Sequence, residues 1–491
     1  MTPKDYAALD HDTLVQEIVR RDLEIQKLTN TIINANKAKF GPKTETISST
    51  QFALSFELPP LPLPSPQVER QVLAHTRTVT KGRKPLPESL EREEIVYFPE
   101  ETHCPCCQEE LKKIGEYRTE ELEKVPEQLK VVVHIRPRMA CAKCKEAGVV
   151  VAKLPPSILP LEGARPGAGL LADIVVSKYV DHLPLHRQEQ MYHRLGIELS
   201  RKRMSSWVGG VTDLVIPLYE ALKSDILYQL YIQADETTLK IQDGVVPGKC
   251  HTGYLWGLLG PPNKIWYHYA PGRAGAVPKE LLKEYRGTVQ TDAYAGYNPV
   301  FMPDGAKRIA CLAHVRRKFI EIEKSAGKVA ADILQRIAKI YHLEGDAKDP
   351  ENLNYIRQHY TQKYCKELIE ALEAHATRAL PRSPLMKAIS YALAQKEEIT
   401  RIFESGEYSL DNNAIERQMK QVAIGRKNYY FAGSHEGAHR AAVLYSLLGT
   451  CRLNKVNPWE WLRDVLTRIN DPKGGTAREL LPYNWTPRPV D

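Results

Sequence analysis

Residues 227–236, LYQLYIQADE, alternate apolar and polar side chains up to Asp235, which reads as a half-buried strand closing on an acid. Just beyond, YLWGLLG (254–260) and KIWYHYA (264–270) flank the turn Pro261-Pro262-Asn263 and read as a hairpin. The helical LLKEY (281–285) then leads into GTVQTD (287–292), a further strand that closes on a second acid, Asp292. RIACLA (308–313) precedes the helix HVRRKFIEI (314–322). Three strands, a helix, a fourth strand and further alternation predict a mixed sheet with Asp235 and Asp292 at neighbouring strand ends.

This is the order of an RNase H-like core, and the predicted fold class is multidomain, α+β with α/β. The first part of the core is placed at 223–320. Residues 321–405 show almost only helical patterns, as in ADILQRIAKIYHLEG and LMKAISYALAQKEEITRIF, and form an all-α insertion. The core resumes over 406–448 with a third acid, Glu416 in DNNAIERQMK, and a helical tail follows over 449–491.

Upstream, Leu14, Ile18, Ile25, Leu28 and Ile32 fall on alternating spacings of three and four, with Arg21 interrupting one core position. Segment 1–50 is therefore a coiled-coil oligomerisation helix or an amphipathic helix packed on its own chain. Proline-rich FALSFELPPLPLPSP (52–66) marks 51–80 as an extended linker. Segment 81–155 carries Cys104-Pro-Cys106-Cys107 and Cys141-Ala-Lys-Cys144 around the strand-like QLKVVVHIRPRM. Two C-x-x-C knuckles present four thiolates tetrahedrally, as a closed structural Zn²⁺ site requires. Cys104, Cys107, Cys141 and Cys144 are the expected ligands, with Cys106 spare; unrelated buried cysteines or a redox pair are the alternative. In 156–222, the helix PLHRQEQMYHRL, a break at Gly196 and a cap at Ser200 before RKRMSSWVGG resemble a helix-turn-helix. A helical hairpin packed against the catalytic domain, with a solvated basic end, fits the same residues.

The 491 residues, 43% of them hydrophobic, suffice for several domains with ordinary cores. A formal net charge of +8 favours a polyanionic partner, and the excess clusters at Arg201-Lys202-Arg203, Arg316-Arg317-Lys318 and Arg426-Lys427. No basic start leads into an apolar run and no apolar stretch is long enough for a bilayer, so a cytoplasmic, non-membrane protein is expected. Nine cysteines without a secretion signal argue against a disulfide framework.

Carboxylates scattered in sequence but gathered in space suit hard cations, and phosphodiester cleavage uses two such ions about 4 Å apart. In this reading Asp235 bridges both ions, Asp292 completes one and Glu416 the other. Mg²⁺ is expected, and Mn²⁺ fits the same oxygens. Arg417, Lys420, Arg426 and Lys427 would neutralise DNA phosphates beside the acids. Each acid also has a plainer reading: Asp235 and Asp292 as turn residues bonding the backbone, Glu416 as a capping glutamate three residues after Asn413. Cys311 and His314 form a C-x-x-H at a strand-to-helix turn that reads as packed, with a structural or DNA-facing role for His314 as the alternative, and His251 and His268 carry no comparable context.

DNNAIERQMKQVAIGRKNYYFAGS (411–434) resembles the signature of the insertion-sequence 66 family of bacterial DDE transposases. In order, KAKFGPKTE, KGRKPLP, the two cysteine knuckles, KYVDHLPLHRQEQMYHRLGIELSR, QADET, TGYLWG, QTDAYAGY, CLAHVRRKF and AAVLYSLLGTCRLNKVNPWEWLRDVL are similar to that family as well. The similarity runs from residue 10 to about 484 and departs at Ala293, Leu312 and Ile415, none of them an acid. The resemblance implies that Asp235, Asp292 and Glu416 are the DDE triad, interrupted by the helical insertion. It implies an enzyme that binds terminal inverted repeats, frees the 3′ ends of its element and joins them to target DNA by direct transesterification. The zipper, zinc region and following helices would then multimerise and bind DNA, with accessory proteins as candidate partners. A structure-selective nuclease on the same core and a DNA-binding repressor with a decayed core are the alternatives.

Overall fold

The computed structural model describes residues 166–488, apart from 245–247, 304, 346 and 348, together with 129–135, 138–140, 149–151, 158, 160 and 161. The coiled-coil segment, the linker and Cys104, Cys106, Cys107, Cys141 and Cys144 lie outside the described residues. Two units are distinguished, Phe56–Lys153 and the remainder of the chain. In the first, β1 (Arg138–Ala140) pairs antiparallel with β2 (Val149–Val151).

Among its described residues the larger unit holds first α1 (Ala168–Tyr179), α2 (Leu185–Arg194) and α3 (Arg201–Leu227). Gly196 takes the left-handed conformation (φ +77°) that the turn after α2 needs and that glycine adopts without a Cβ penalty. Ser200 caps α3 by accepting a hydrogen bond from the Arg203 N–H, as expected. The helix does not stop near Gly209-Gly210. It runs for 27 residues, through Pro217, and buries Met204, Val208, Val211, Val215, Leu218, Leu222 and Ile226 in the core that also holds the sheet. Both glycines serve close approach: a Cβ at Gly209 would meet the Arg440 guanidinium, and one at Gly210 would meet Leu161. The body of this helix thus takes the packed-hairpin alternative, while Arg201, Lys202 and Arg203 stay exposed at its start.

The sheet follows the expected sequence of elements: β3 (Tyr231–Ile241), β4 (His251–Gly260), β5 (Lys264–Ala270), α4 (Ala276–Leu281), β6 (Thr288–Gln290) and β7 (Lys307–Ile309). Its strand order is β5-β4-β3-β6-β7, antiparallel across β5-β4-β3 and parallel across β3-β6-β7. A long helical block follows: α5 (Leu312–Glu344), α6 (Pro350–Ile356), a π turn at Arg357–Thr361, α7 (Gln362–Ala376), α8 (Pro384–Leu393) and α9 (Lys396–Arg401). This block builds its own core around Phe319, Ile333, Ile337, Leu368 and Ile389, and reaches the sheet at Tyr231 and Ile309. The chain then returns as α10 (Asn413–Tyr429), α11 (His435–Leu453) and α12 (Pro458–Arg468).

An edge strand exposes backbone groups that need partners. Helix α11 supplies them along β5: Ser446 Oγ accepts from the Tyr267 N–H at 2.7 Å and Thr450 Oγ1 from the Ile265 N–H at 3.2 Å. Among the described residues no helix is long and apolar enough to cross a membrane.

Candidate active site

Strands β3 and β6 run parallel with Gln233 opposite Gln290. Two residues further along each chain stand Asp235 and Asp292, so one rung of the ladder sets both acids at the same end of adjacent strands. The carboxyl ends of parallel strands are where open α/β sheets place their ligands. Glu416 comes from the first turn of α10, which packs across β3 and β4. Gly257, the partner of Asp235 on β4, lies under this helix: a Cβ there would displace the Met419 methyl end and make ordinary contact with Ile415.

The acids influence one another. Burial first, and then the charges of Glu236, Glu416 and Asp292, hold the Asp235 carboxyl well above the usual carboxylate range, opposed by a hydrogen bond from the Glu236 N–H. Asp235 Oδ1 accepts that bond at 2.9 Å, and Asp292 Oδ1 accepts from the Tyr294 N–H at 3.0 Å, the turn bond two residues on that its plainer reading foresaw. Arg308, on β7, fixes the Asp292 backbone by donating to its carbonyl oxygen at 2.9 Å and to Gln395 of the helical block at 3.0 Å. Glu416 does not act as a capping glutamate in this structure: its carboxylate faces His314 at 3.7 Å and Arg317 at 3.9 Å, both on α5. Among the described residues, no three His, Cys, Asp or Glu side chains are grouped closely enough, as they stand, to enclose a metal ion.

Several residues beside the acids escaped the sequence reading. Glu236, its side chain 4% exposed, accepts from Arg273 Nε at 2.7 Å and from the Tyr297 hydroxyl at 2.8 Å, and the Arg273 guanidinium lies 3.8 Å over the Tyr294 ring. His314, read as simply packed, stands against Glu416. Its companion Cys311 is buried and accepts the Asn412 N–H through Sγ, and burial pushes its thiol up to about 12. His268 stacks on Trp266, and burial with His439 and Lys223 nearby lowers it to about 4. His251 contacts the Pro271 carbonyl.

The basic residues divide. Arg417, Lys420 and Lys427 are exposed along α10, whereas Arg426 is turned onto β3 and donates to Thr237 Oγ1 at 3.0 Å and to Thr238. Arg426 ties helix to strand and does not join the exposed row. Arg316, Arg317 and Lys318 lie half-buried on the first turns of α5, with Lys318 5.3 Å over the Tyr391 ring. A separate cleft of about 900 Å³, lined by Tyr219, Lys223, Trp266, His268 and Tyr285, contains none of the three acids.

Comparison with known proteins defines the class first: a transposase-type enzyme with a zinc-finger region. The chain belongs to the Transposase IS66 family, whose profile matches residues 163–440, more than half its length. Three further profiles match: the zinc-finger binding domain of transposase IS66 at 101–145, the IS66 C-terminal element at 446–483, and Transposase C of IS166 homeodomain at 27–95. Two relatives from Sinorhizobium fredii (strain NBRC 101917 / NGR234), both described as uncharacterized, are similar over most of their length. Protein y4jD is 32% identical over 512 residues, covering 97% of this chain and 98% of its own. Protein y4hP is 33% identical over 433 residues, covering 82% of this chain and 77% of its own.

Proposed function

We propose that this protein is the DNA transposase of a bacterial insertion sequence, with an RNase H-like core whose catalytic acids are Asp235, Asp292 and Glu416. The observation that carries the reading is the shared rung of Gln233 and Gln290, which aligns Asp235 with Asp292, while the helix bearing Glu416 packs across β3 and β4. The donor set is all carboxylate oxygen, and burial together with the charges of neighbouring acids raises Asp235, a cost that bound divalent cations relieve, so the residues fit Mg²⁺ or Mn²⁺. Two bound ions would activate water and relieve charge on the leaving oxygen. Asp235, Asp292 and Glu416 would hold them, and Arg317 and His314 orient the Glu416 carboxylate.

In the first step water adds to the phosphorus at the element end, the P–O3′ bond breaks, and the 3′ oxygen leaves as a hydroxyl. In the second that 3′-OH attacks a target phosphodiester, forming one P–O bond and breaking another, without a covalent enzyme intermediate. Exposed Arg417, Lys420 and Lys427 contact the DNA backbone on the α10 side, and Arg201, Lys202 and Arg203 at the start of α3 supply a further basic patch. Arg316 and Lys318, half-buried at the start of α5, add to the same backbone contacts. In the separate zinc unit, Cys104, Cys107, Cys141 and Cys144 bind Zn²⁺ structurally. The N-terminal coiled coil joins copies of the chain, which works in the cytoplasm and has accessory proteins as candidate partners.

The test is incubation of full-length protein with candidate terminal-repeat DNA, with and without Mg²⁺, and with a 3′-OH oligonucleotide as joining substrate. The expected result is nicking at one defined phosphate, Mg²⁺-dependent strand transfer, and abolition of both by Asp235→Ala with DNA binding nearly intact. Cleavage without joining would leave a nuclease; retained cleavage by Asp235→Ala would remove that residue from the site.

A further inference from the structure

Two residues before each strand acid stands a buried glutamine, and the two amides meet. Gln233 and Gln290 are both 0% exposed, with Gln233 Nε2 donating to Gln290 Oε1 at 3.0 Å. Gln290 Oε1 also accepts from the Tyr231 hydroxyl at 2.5 Å, and Gln290 Nε2 donates to the carbonyls of Ala310 at 2.9 Å and Ser409 at 2.8 Å. Gln233 grips the returning chain at two points: Nε2 reaches the Asp411 carbonyl at 3.1 Å, and Oε1 accepts the Ile415 N–H at 3.1 Å. Tyr231 adds a third, its hydroxyl accepting the Ser409 N–H at 3.3 Å.

The first N–H groups of any helix lack partners within the helix. At α10 the N-cap residue Asn412 provides no side-chain cap, and the Ile415 N–H is met by Gln233 from another strand. The residue after Ile415 is Glu416. Sequence neighbours therefore connect all three acids to one amide pair: Gln233 to Asp235, Gln290 to Asp292, and the captured 409–415 backbone to Glu416. Apolar packing alone would let α10 slide or rotate along β3 and β4, whereas these bonds recognise individual backbone groups after the long helical excursion.

We propose that Gln233 and Gln290 form a positioning clamp that sets Glu416 in register with Asp235 and Asp292, and that Gln233 is its principal member. The inference rests on the acid triad proposed above. It assigns the amides no contact with DNA or reacting atoms; they act through the acids, as outer-shell partners of ligating residues do.

Gln233→Leu in the full-length protein, with Gln233→Glu beside it, provides the test, read by amide hydrogen exchange and by Mg²⁺ titration of end cleavage. In Gln233→Leu, exchange at Ile415 and Glu416 should accelerate about tenfold or more while Val422 and Gly425 keep their protection, DNA-end binding should stay within about twofold, and the rate or Mg²⁺ affinity should fall about 10- to 100-fold. Gln233→Glu keeps the volume and the acceptor for Ile415 but loses the amide hydrogens given to Gln290 and Asp411, so it should retain Ile415 protection while its rate falls within the same range. Wild-type exchange at Ile415 in folded Gln233→Leu, or wild-type cleavage at wild-type Mg²⁺ demand, overturns the clamp. If Gln233→Leu does not fold, Gln233→Glu decides: wild-type cleavage at wild-type Mg²⁺ demand overturns the clamp, and a loss of cleavage with Ile415 still protected upholds it. Absence of end cleavage by the wild type under every Mg²⁺ condition would sink the transposase reading instead, and the exchange data would still decide whether Gln233 caps the helix.

Discussion

Asp235 sits where its surroundings oppose its charge: burial and three neighbouring carboxylates raise it, and one backbone N–H is the counterweight. Its folded value lies above its unfolded one, so its contribution to stability is complete below the ordinary carboxylate value of about 3.9 and is lost as pH rises through the folded value. Asp235→Asn removes that loss. In chelator at pH 7.5 the variant should therefore melt at a higher temperature than wild type, and the difference should shrink as pH falls towards 4. Added Mg²⁺ should stabilise wild type more than the variant, whose end cleavage should drop about a hundredfold or more. A variant no more stable than wild type in chelator at pH 7.5 would contradict this electrostatic picture. The acids were legible because each closes an alternating run or opens a helix. The glutamines were legible in principle, since Gln-Ala-Asp at 233–235 and Gln-Thr-Asp at 290–292 repeat a two-residue spacing that puts both side chains on one face of a strand. Their partners, the backbone at 409–415, were not, because residues 178 and 182 positions apart meet only through the tertiary fold.

Elements were easiest to read where local chemistry agreed with the fold, as at Ser200 and at the β4–β5 hairpin. Helix α3 runs through Gly209-Gly210, residues that disfavour a helix in isolation, and the packing reason, the Arg440 and Leu161 side chains, lies far away in the chain. In the helical block the π turn at Arg357–Thr361 has a comparable tertiary cause. Arg357, 1% exposed, forms a bidentate pair with Glu344, Nε to Oε1 at 3.1 Å and Nη2 to Oε2 at 2.7 Å. Its remaining nitrogen donates to the Ile402 carbonyl at 2.8 Å, and Thr361 Oγ1 donates to Glu344 at 3.0 Å. Removing one member of such a buried pair strands the other charge. Arg357→Ala should cost roughly 3–5 kcal/mol in denaturant unfolding, and Arg357→Met with Glu344→Leu should recover most of it. A single-variant loss below about 1 kcal/mol would mean that water reaches the pair, against its observed burial.

At the scale of the whole molecule the order of strands and helices was readable from periodicity, while the division of labour between the two units rests on where the site residues fall. The three acids, the glutamine pair and the helical block all belong to Leu154–Asp491, and the zinc-finger match at 101–145 falls wholly within Phe56–Lys153. A structural zinc contributes folding free energy to the unit that binds it. Cys141→Ser in the full-length protein should therefore abolish bound zinc, near one ion per chain in the wild type by the four-thiolate reading. It should weaken selective binding of element ends by about tenfold or more, in line with the loss of a DNA-binding module. The unfolding transition of the larger unit, followed through its buried Trp256, Trp266 and Trp461, should keep its midpoint. Zinc content measured by metal analysis together with that fluorescence transition checks both halves. A larger unit that loses its midpoint with the zinc would show that the two units fold as one, and purified wild type without zinc would remove the four cysteines as ligands.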